Sequence, residues 1–233
     1  MPQQRTVAAP VAVFDLDGTL IDTAPDLMAA LNGVLAGVGL PPVTLEDTKG
    51  IVGQGARAMI ERALRQLGEP VGKHDIDALF QSFLVHYEAH IAVHSRPYPG
   101  LMDALDELAD RGFVLAVCTN KLESLARQLL DELEMTARFA AIVGGGATTR
   151  SKPAPDPLLL AVDQAGGGKA VMIGDSIADA GSARAAGVPC ILVDFGYTDR
   201  PAHSLGADLV ISHFDALIAG IDSLLGGDAA GAP

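Results

Sequence analysis

Two aspartates, Asp15 and Asp17, stand just past the apolar run Val11-Ala12-Val13-Phe14, and Gly18-Thr19 follow at once. In an extended chain, side chains at i and i+2 share a face, so the two carboxylates are crowded together. Acids so placed repel each other and lose solvation. A fold retains them where a cation, a proton transfer or a covalent step uses them. Three further segments carry polar groups just past apolar runs or in the loops beyond: Thr119-Asn120-Lys121, Ser151-Lys152-Pro153, and Gly174-Asp175-Ser176 with Asp179. Three carboxylates with backbone carbonyls and water suit Mg²⁺, a hard cation that prefers oxygen. Threonine hydroxyl, asparagine amide and lysine ammonium groups suit phosphate oxygens. An aspartate with a free oxygen is a competent nucleophile toward phosphorus. The set is an inventory for metal-assisted phosphoryl transfer.

The elements that must position these groups are legible in the apolar pattern. Strand-like runs over 113–118, 140–143, 170–173, 190–193 and 208–211 alternate with helical periodicity over 101–111, 124–133, 157–165, 177–186 and 215–225. Such alternation predicts an α/β fold of right-handed βαβ units, with helices on both faces of a parallel sheet. In an open parallel sheet the reactive groups lie at the carboxyl ends of the strands, which brings the four segments together. Residues 21–96 differ: 25–36, 55–67 and 75–91 have helical periodicity, no strand stands out, and Thr44 offers a further helix start. The expected architecture is an α/β core, 1–20 plus 97–233, carrying an all-helical insertion, 21–96. Residues 226–233 read as a frayed tail.

The motifs Asp15-Leu16-Asp17-Gly18-Thr19-Leu20, Thr119-Asn120-Lys121, Lys152-Pro153-Ala154-Pro155-Asp156-Pro157 and Gly174-Asp175-Ser176 with Asp179 occur in this order. Together they resemble the phosphatases of the haloacid dehalogenase superfamily, most closely its phosphoglycolate phosphatases, over nearly the whole chain. The resemblance implies a Rossmann-like parallel-sheet core with the helical insertion as a cap. It implies that Asp15 attacks phosphorus and forms an aspartyl-phosphate, and that Asp17 protonates the leaving alkoxide and later takes a proton from water. Mg²⁺ would be held by Asp15, the backbone carbonyl of Asp17 and Asp175. Asp179, with Ser176, would orient that shell or Lys152; Lys152 would balance the charge on Asp15; Thr119 and Asn120 would hold the phosphoryl group. Gly18 and Lys121 join the substrate-binding set. An acid at Asp17 sets the chain apart from the dehalogenase and phosphonate-cleaving branches, which lack it, and favours phosphate esters. Val52-Gly53-Gln54-Gly55-Ala56-Arg57 resembles the specificity loop of the cap, with Gly53, Gln54 and Arg57 as substrate contacts and Arg57 set to meet a carboxylate. The implied reaction is Mg²⁺-dependent hydrolysis of 2-phosphoglycolate. Alternatives are another sugar phosphate or pyrophosphate as substrate, a phosphosugar mutase, and a binding module without turnover; the intact motif set argues against the last.

Blander readings compete at single positions. Lys121 faces either the site mouth or solvent, Arg57 either substrate or a solvated helix face, and Asp22-Thr23 read as the start of the first inserted helix. His86, His90 and His94 recur every fourth residue but lack an acidic or cysteine partner of matching spacing, so they read as a polar helix face rather than a metal site. Gly166-Gly167-Gly168 precedes a strand and reads as a loop. Cys118 and Cys190 sit in apolar runs and read as buried core rather than a disulfide. With 49% hydrophobic and 19% charged residues in 233, a well-filled core is expected. Aromatics at 4% mean that Ala, Val, Leu and Ile must build it. The net charge of −13 disfavours nucleic acid and anionic membranes as partners, so an anionic substrate needs locally gathered cations. No leader-like or membrane-spanning stretch stands out, and the expectation is a cytoplasmic monomer or homodimer acting on a small phosphorylated metabolite.

Overall fold

The computed structural model describes residues 8–48 and 55–226; the first seven residues, Val52, Gly53 and Gln54 of the specificity loop, and residues 227–233 of the expected tail lie outside them. Six parallel strands form the central sheet: β1 (Val11–Phe14), β4 (Val114–Leu122), β5 (Ala141–Gly145), β6 (Ala170–Gly174), β7 (Cys190–Val193) and β8 (Leu209–Ile211). Their spatial order is β5-β4-β1-β6-β7-β8. The chain runs outward from β1 in one direction, then returns and continues on its other side. Strand order therefore reverses at β1, and an open α/β sheet has its crevice there, past the carboxyl ends.

The sheet is covered on both faces, as all-parallel sheets require. Alternation along β1 divides the core: Ala12 and Phe14 face the layer of α5 (Leu101–Asp110), α6 (Glu123–Glu132) and α9 (Leu217–Leu225), while Val11 and Val13 face α7 (Asp156–Gln164) and α8 (Ile177–Ala186). The core is mostly aliphatic, but its largest fully buried side chains are Tyr87, Phe14, Phe83 and Phe214. Cys118 and Cys190 are buried free thiols on β4 and β7.

Between the core's first two strands the chain builds α1 (Ala24–Gly37), the short α2 (Leu45–Thr48), α3 (Ala56–Gln66) and α4 (Ile76–Ala89). α4 packs on α1 and α3. Thr23 precedes α1, but its hydroxyl caps nothing and has no hydrogen-bond partner. Two two-residue strands connect the helices to the core, β2 (Ile21–Asp22) and β3 (Arg96–Pro97), pairing antiparallel with Ile21 opposite Pro97. Sequence periodicity does not register such short strands. The Asp26 carboxylate, at the start of α1, accepts the His94 and Ser95 N–H groups and the Ser95 hydroxyl, which fastens the returning linker to the departing one. Among the described residues no helix is long and apolar enough to cross a membrane.

Candidate active site

β1 ends at Phe14, and the Asp15 N–H bonds the Ile173 carbonyl of β6, so the neighbouring strand fixes the first aspartate. The chain then turns tightly. The N–H groups of Leu20 and Ile21 converge on the Leu16 carbonyl, and Gly18 donates to Ile21. Gly18 has φ +82°, and a Cβ there would lie 2.5 Å from Asp175 Oδ2, so both conformation and space demand glycine. The turn brings Asp15 and Asp17 to the sheet crevice, both nearly buried.

The side chains of Asp15, Asp175 and Asp179 converge so that one oxygen of each lies within 4.8 Å of the others. Lys152 Nζ reaches into them, 2.9 Å from Asp15 Oδ1, 2.6 Å from Asp179 Oδ1 and 2.7 Å from the Cys118 carbonyl. Burial alone would lower the Lys152 pKa, but the Asp15 and Asp179 carboxylates outweigh it and the ammonium form is favoured. Burial pushes the Asp15 carboxyl up to about 7; Lys152 opposes this, and Asp179 and Asp17 add to it. Asp175 is raised for the same reasons, burial first and then Asp179 and Asp15. One lysine thus leaves the three acids short of positive charge. Asp15 Oδ1 is met by the Lys152 ammonium at 2.9 Å. A divalent cation fits this donor set: three buried carboxylates whose oxygens converge within 4.8 Å, with more negative charge than one lysine balances.

Asp179 opens the first turn of α8. Its Oδ2 accepts the N–H groups of Asp175 and Ser176 and the Ser176 hydroxyl, while its Oδ1 takes Lys152. It therefore orients both the Asp175 loop and the lysine. The Asp17 side chain turns away from the carboxylate cluster toward Lys121, 3.0 Å away. Lys121 is buried and also donates to the Tyr87 hydroxyl of α4 at 2.7 Å. Between the site mouth and solvent, the structure places it at the site. β4 runs past Cys118 through Leu122, four residues beyond the apolar run, with a register shift before Leu122 pairs Gly145. Thr119, Asn120 and Lys121 thus lie within an irregular strand end. The Asn120 side-chain amide bonds both backbone groups of Lys152 and anchors the lysine loop to β4. Thr119 Oγ1 accepts the Lys121 N–H.

A cavity of about 210 Å³ lies between the core and the inserted helices, lined by Asp15, Asp17, Thr119, Asn120, Lys121 and, opposite them, Arg57. Arg57 pairs with Asp77 at 2.6 Å and stacks over the Phe80 ring, 4.5 Å from its centre. The histidines form no metal group among the described residues: His86 and His90 stack, and the His94 N–H binds Asp26. Two tyrosines outside the sequence motifs border the site, Tyr87 on α4 and Tyr197 in the loop after β7. The available signal for Tyr197 is its place in the polar segment after a fifth strand end.

The family profile described as haloacid dehalogenase-like hydrolase matches residues 12–193. The chain belongs to the haloacid dehalogenase-like hydrolases. Among relatives, a protein of Agrobacterium fabrum named phosphoglycolate phosphatase is 48% identical over 211 residues, covering 90% of this chain and 91% of that one. A Pseudomonas aeruginosa protein named N-acetylmuramic acid 6-phosphate phosphatase is 39% identical, covering 91% and 95%. The crystal structure of a predicted phosphoglycolate phosphatase from Haemophilus somnus superimposes with a TM-score of 0.83 at 26% identity, covering 90% of this chain and 96% of that one. Within the haloacid dehalogenase-like hydrolases, these similarities place the chain among the phosphatases, enzymes that hydrolyse phosphoric monoesters.

Proposed function

We propose that this phosphatase hydrolyses 2-phosphoglycolate to glycolate and phosphate, with Mg²⁺ as its ion and Asp15 as nucleophile. The observation that carries the chemistry is the Asp15 carboxylate itself: buried, held by Lys152, lining the cavity and converging with Asp175 and Asp179. The substrate assignment draws on the relatives of 46–48% identity named for it. Asp15, Asp175 and the Asp17 backbone carbonyl would hold the ion, which supplies charge neutralisation for the phosphoryl oxygens when bound.

An Asp15 oxygen attacks phosphorus as the bond to the glycolate oxygen breaks, giving an aspartyl-phosphate. Asp17 gives the leaving oxygen its proton, then removes one from the water that attacks the phosphorus and frees Asp15. Lys152 holds Asp15 in place and balances its charge, and Thr119 and the Asn120 backbone steady the transferring group. The helices over 24–89 act as the cap that excludes water, and the domain division runs at the β2–β3 ribbon.

A phosphate-release comparison of kcat/KM across 2-phosphoglycolate, N-acetylmuramic acid 6-phosphate, sugar phosphates and pyrophosphate tests the substrate. A preference of tenfold or more for any other ester overturns the assignment. Chelation is expected to lower turnover by on the order of 10²-fold or more, because a bound cation contributes several kcal/mol of charge stabilisation. Added Mg²⁺ should restore it; full activity in chelator refutes the ion.

Arg57 is the cation across the cavity that a substrate carboxylate can reach by exchanging Asp77 for the ligand. Arg57→Ala is expected to raise KM for 2-phosphoglycolate roughly tenfold to a hundredfold, the effect of losing a charged hydrogen bond. KM for a phosphate ester without a carboxylate should hardly move. Equal effects on both remove Arg57 from specificity.

A further inference from the structure

Tyr197 makes three hydrogen bonds and a ring contact that join otherwise separate parts of the molecule. Its backbone N–H donates to Asp175 Oδ2 at 2.7 Å. Its hydroxyl donates to Asp22 Oδ1 at 2.6 Å and accepts the Ala24 N–H at 2.9 Å. Its ring lies against Gly18, where an added Cβ would come within 2.8 Å of it. Asp22 belongs to β2, the strand by which the chain leaves the core, and Ala24 is the first residue of α1. Tyr98, just past the returning strand β3, lies beside the Tyr197 side chain. The hydroxyl therefore grips the departing linker at two points, with Tyr98 of the returning one beside it, while the backbone of the same residue grips a carboxylate of the acidic cluster. The ring is 6% exposed, so these bonds are shielded from competing water.

We propose that Tyr197 is a positioning residue that couples the Asp175 carboxylate to the hinge of the helical cap. This rests on the cap reading given above, but not on the identity of the substrate. A change at Asp175 pulls on the Tyr197 backbone and is felt at Asp22 and Ala24 through a rigid phenol. Coupling between two sites is reciprocal: what the hinge does to the carboxylate, an occupant of the carboxylate does to the hinge. Asp175 also touches the turn that leads into β2, through the Thr19 hydroxyl, which donates to its Oδ1 at 3.5 Å; the Tyr197 bond is the shorter of the two contacts.

Hydrogen exchange tests this without substrate. In chelator-treated protein, Tyr197→Phe keeps the ring and the bond to Asp175 but removes both hydroxyl bonds. Exchange of the Ala24 amide is expected to quicken roughly tenfold, the loss of one net hydrogen bond. Adding Mg²⁺ should slow exchange in segment 21–26 of the wild type and slow it several-fold less in Tyr197→Phe. Asp22→Ala breaks the same grip from the hinge side. The double variant should match the more affected single variant, because both act through one contact. An equal Mg²⁺ response in Tyr197→Phe and wild type overturns the coupling, and so does additivity of the two substitutions. With 2-phosphoglycolate, Tyr197→Phe should raise KM more than it lowers kcat, whereas a residue needed only for the reacting geometry would do the reverse. Failure of 2-phosphoglycolate as substrate leaves the exchange result standing, so the two readings fall separately.

Discussion

Asp15→Asn is expected to reduce turnover by roughly 10⁴-fold or more while the protein stays folded, the loss that follows removal of a nucleophile. Asparagine keeps the size of the side chain and an acceptor oxygen, but its amide cannot form the acyl phosphate. The same substitution should make the chelator-treated protein more stable. Asp15 is buried beside Asp175 and Asp179 with one lysine among them, and burial raises its carboxyl to about 7 from an ordinary 3.8. A folded value above the unfolded one means that stability is fully present below about pH 4 and is lost as pH rises through about 7. The wild type should therefore lose on the order of a few kcal/mol relative to Asp15→Asn across that window. Melting temperatures of both proteins in chelator from pH 4 to 8 check the sign. Parallel profiles would remove the burial argument, and near-wild-type turnover in Asp15→Asn would remove the nucleophile. The opposed effects on activity and stability are what a site assembled from repelling charges should show.

The sheet and the acids are legible in the sequence for the same reason. Parallel strands buried on both faces are short apolar runs, and the first polar residue past each run falls at the crevice. That rule collects Asp15, Thr119, Asp175 and, one loop further, Lys152, each of which the structure brings to the site. It fails where polarity and strand end do not coincide: β4 continues through Thr119-Asn120-Lys121-Leu122 because Leu122 still pairs Gly145 after a register shift. It also fails for contacts that no local pattern encodes. Tyr87 meets Lys121 across 34 residues and Tyr197 meets Asp22 across 175. A tyrosine in an amphipathic helix or after a strand reads as core, and only the folded chain shows its hydroxyl on a charged partner. The Asn120 side chain illustrates the converse. Its type suits phosphate, but the structure uses both ends of the amide to hold the Lys152 backbone. Residue type specified the chemistry available there, and packing decided where it was applied.

Lys152→Met is expected to be the most destabilising substitution in the site. The ammonium is 4% exposed and sits between Asp15, Asp179 and the Cys118 carbonyl. Its removal leaves buried carboxylates without their cation, the situation that costs about 3–5 kcal/mol. For a chain of this size the melting temperature should fall by about 6–20 °C. Turnover should fall as well, because Asp15 loses the charge that holds it in place for attack. Lys152→Arg should not rescue: a planar guanidinium is larger than the ammonium and cannot satisfy three converging acceptors from one point. If the loss reflects unpaired charge, then Lys152→Met/Asp179→Asn should recover part of the stability lost by Lys152→Met alone. Asparagine removes one buried charge and still offers an oxygen to the Asp175 and Ser176 N–H groups that Asp179 now holds. Turnover in the double variant should stay low, since Asp15 would still lack its cation. Calorimetry of the two variants in chelator separates the causes. A double variant less stable than Lys152→Met would mean that Asp179 matters chiefly as the acceptor that organises α8, and that the lysine's charge is not what the fold requires of it.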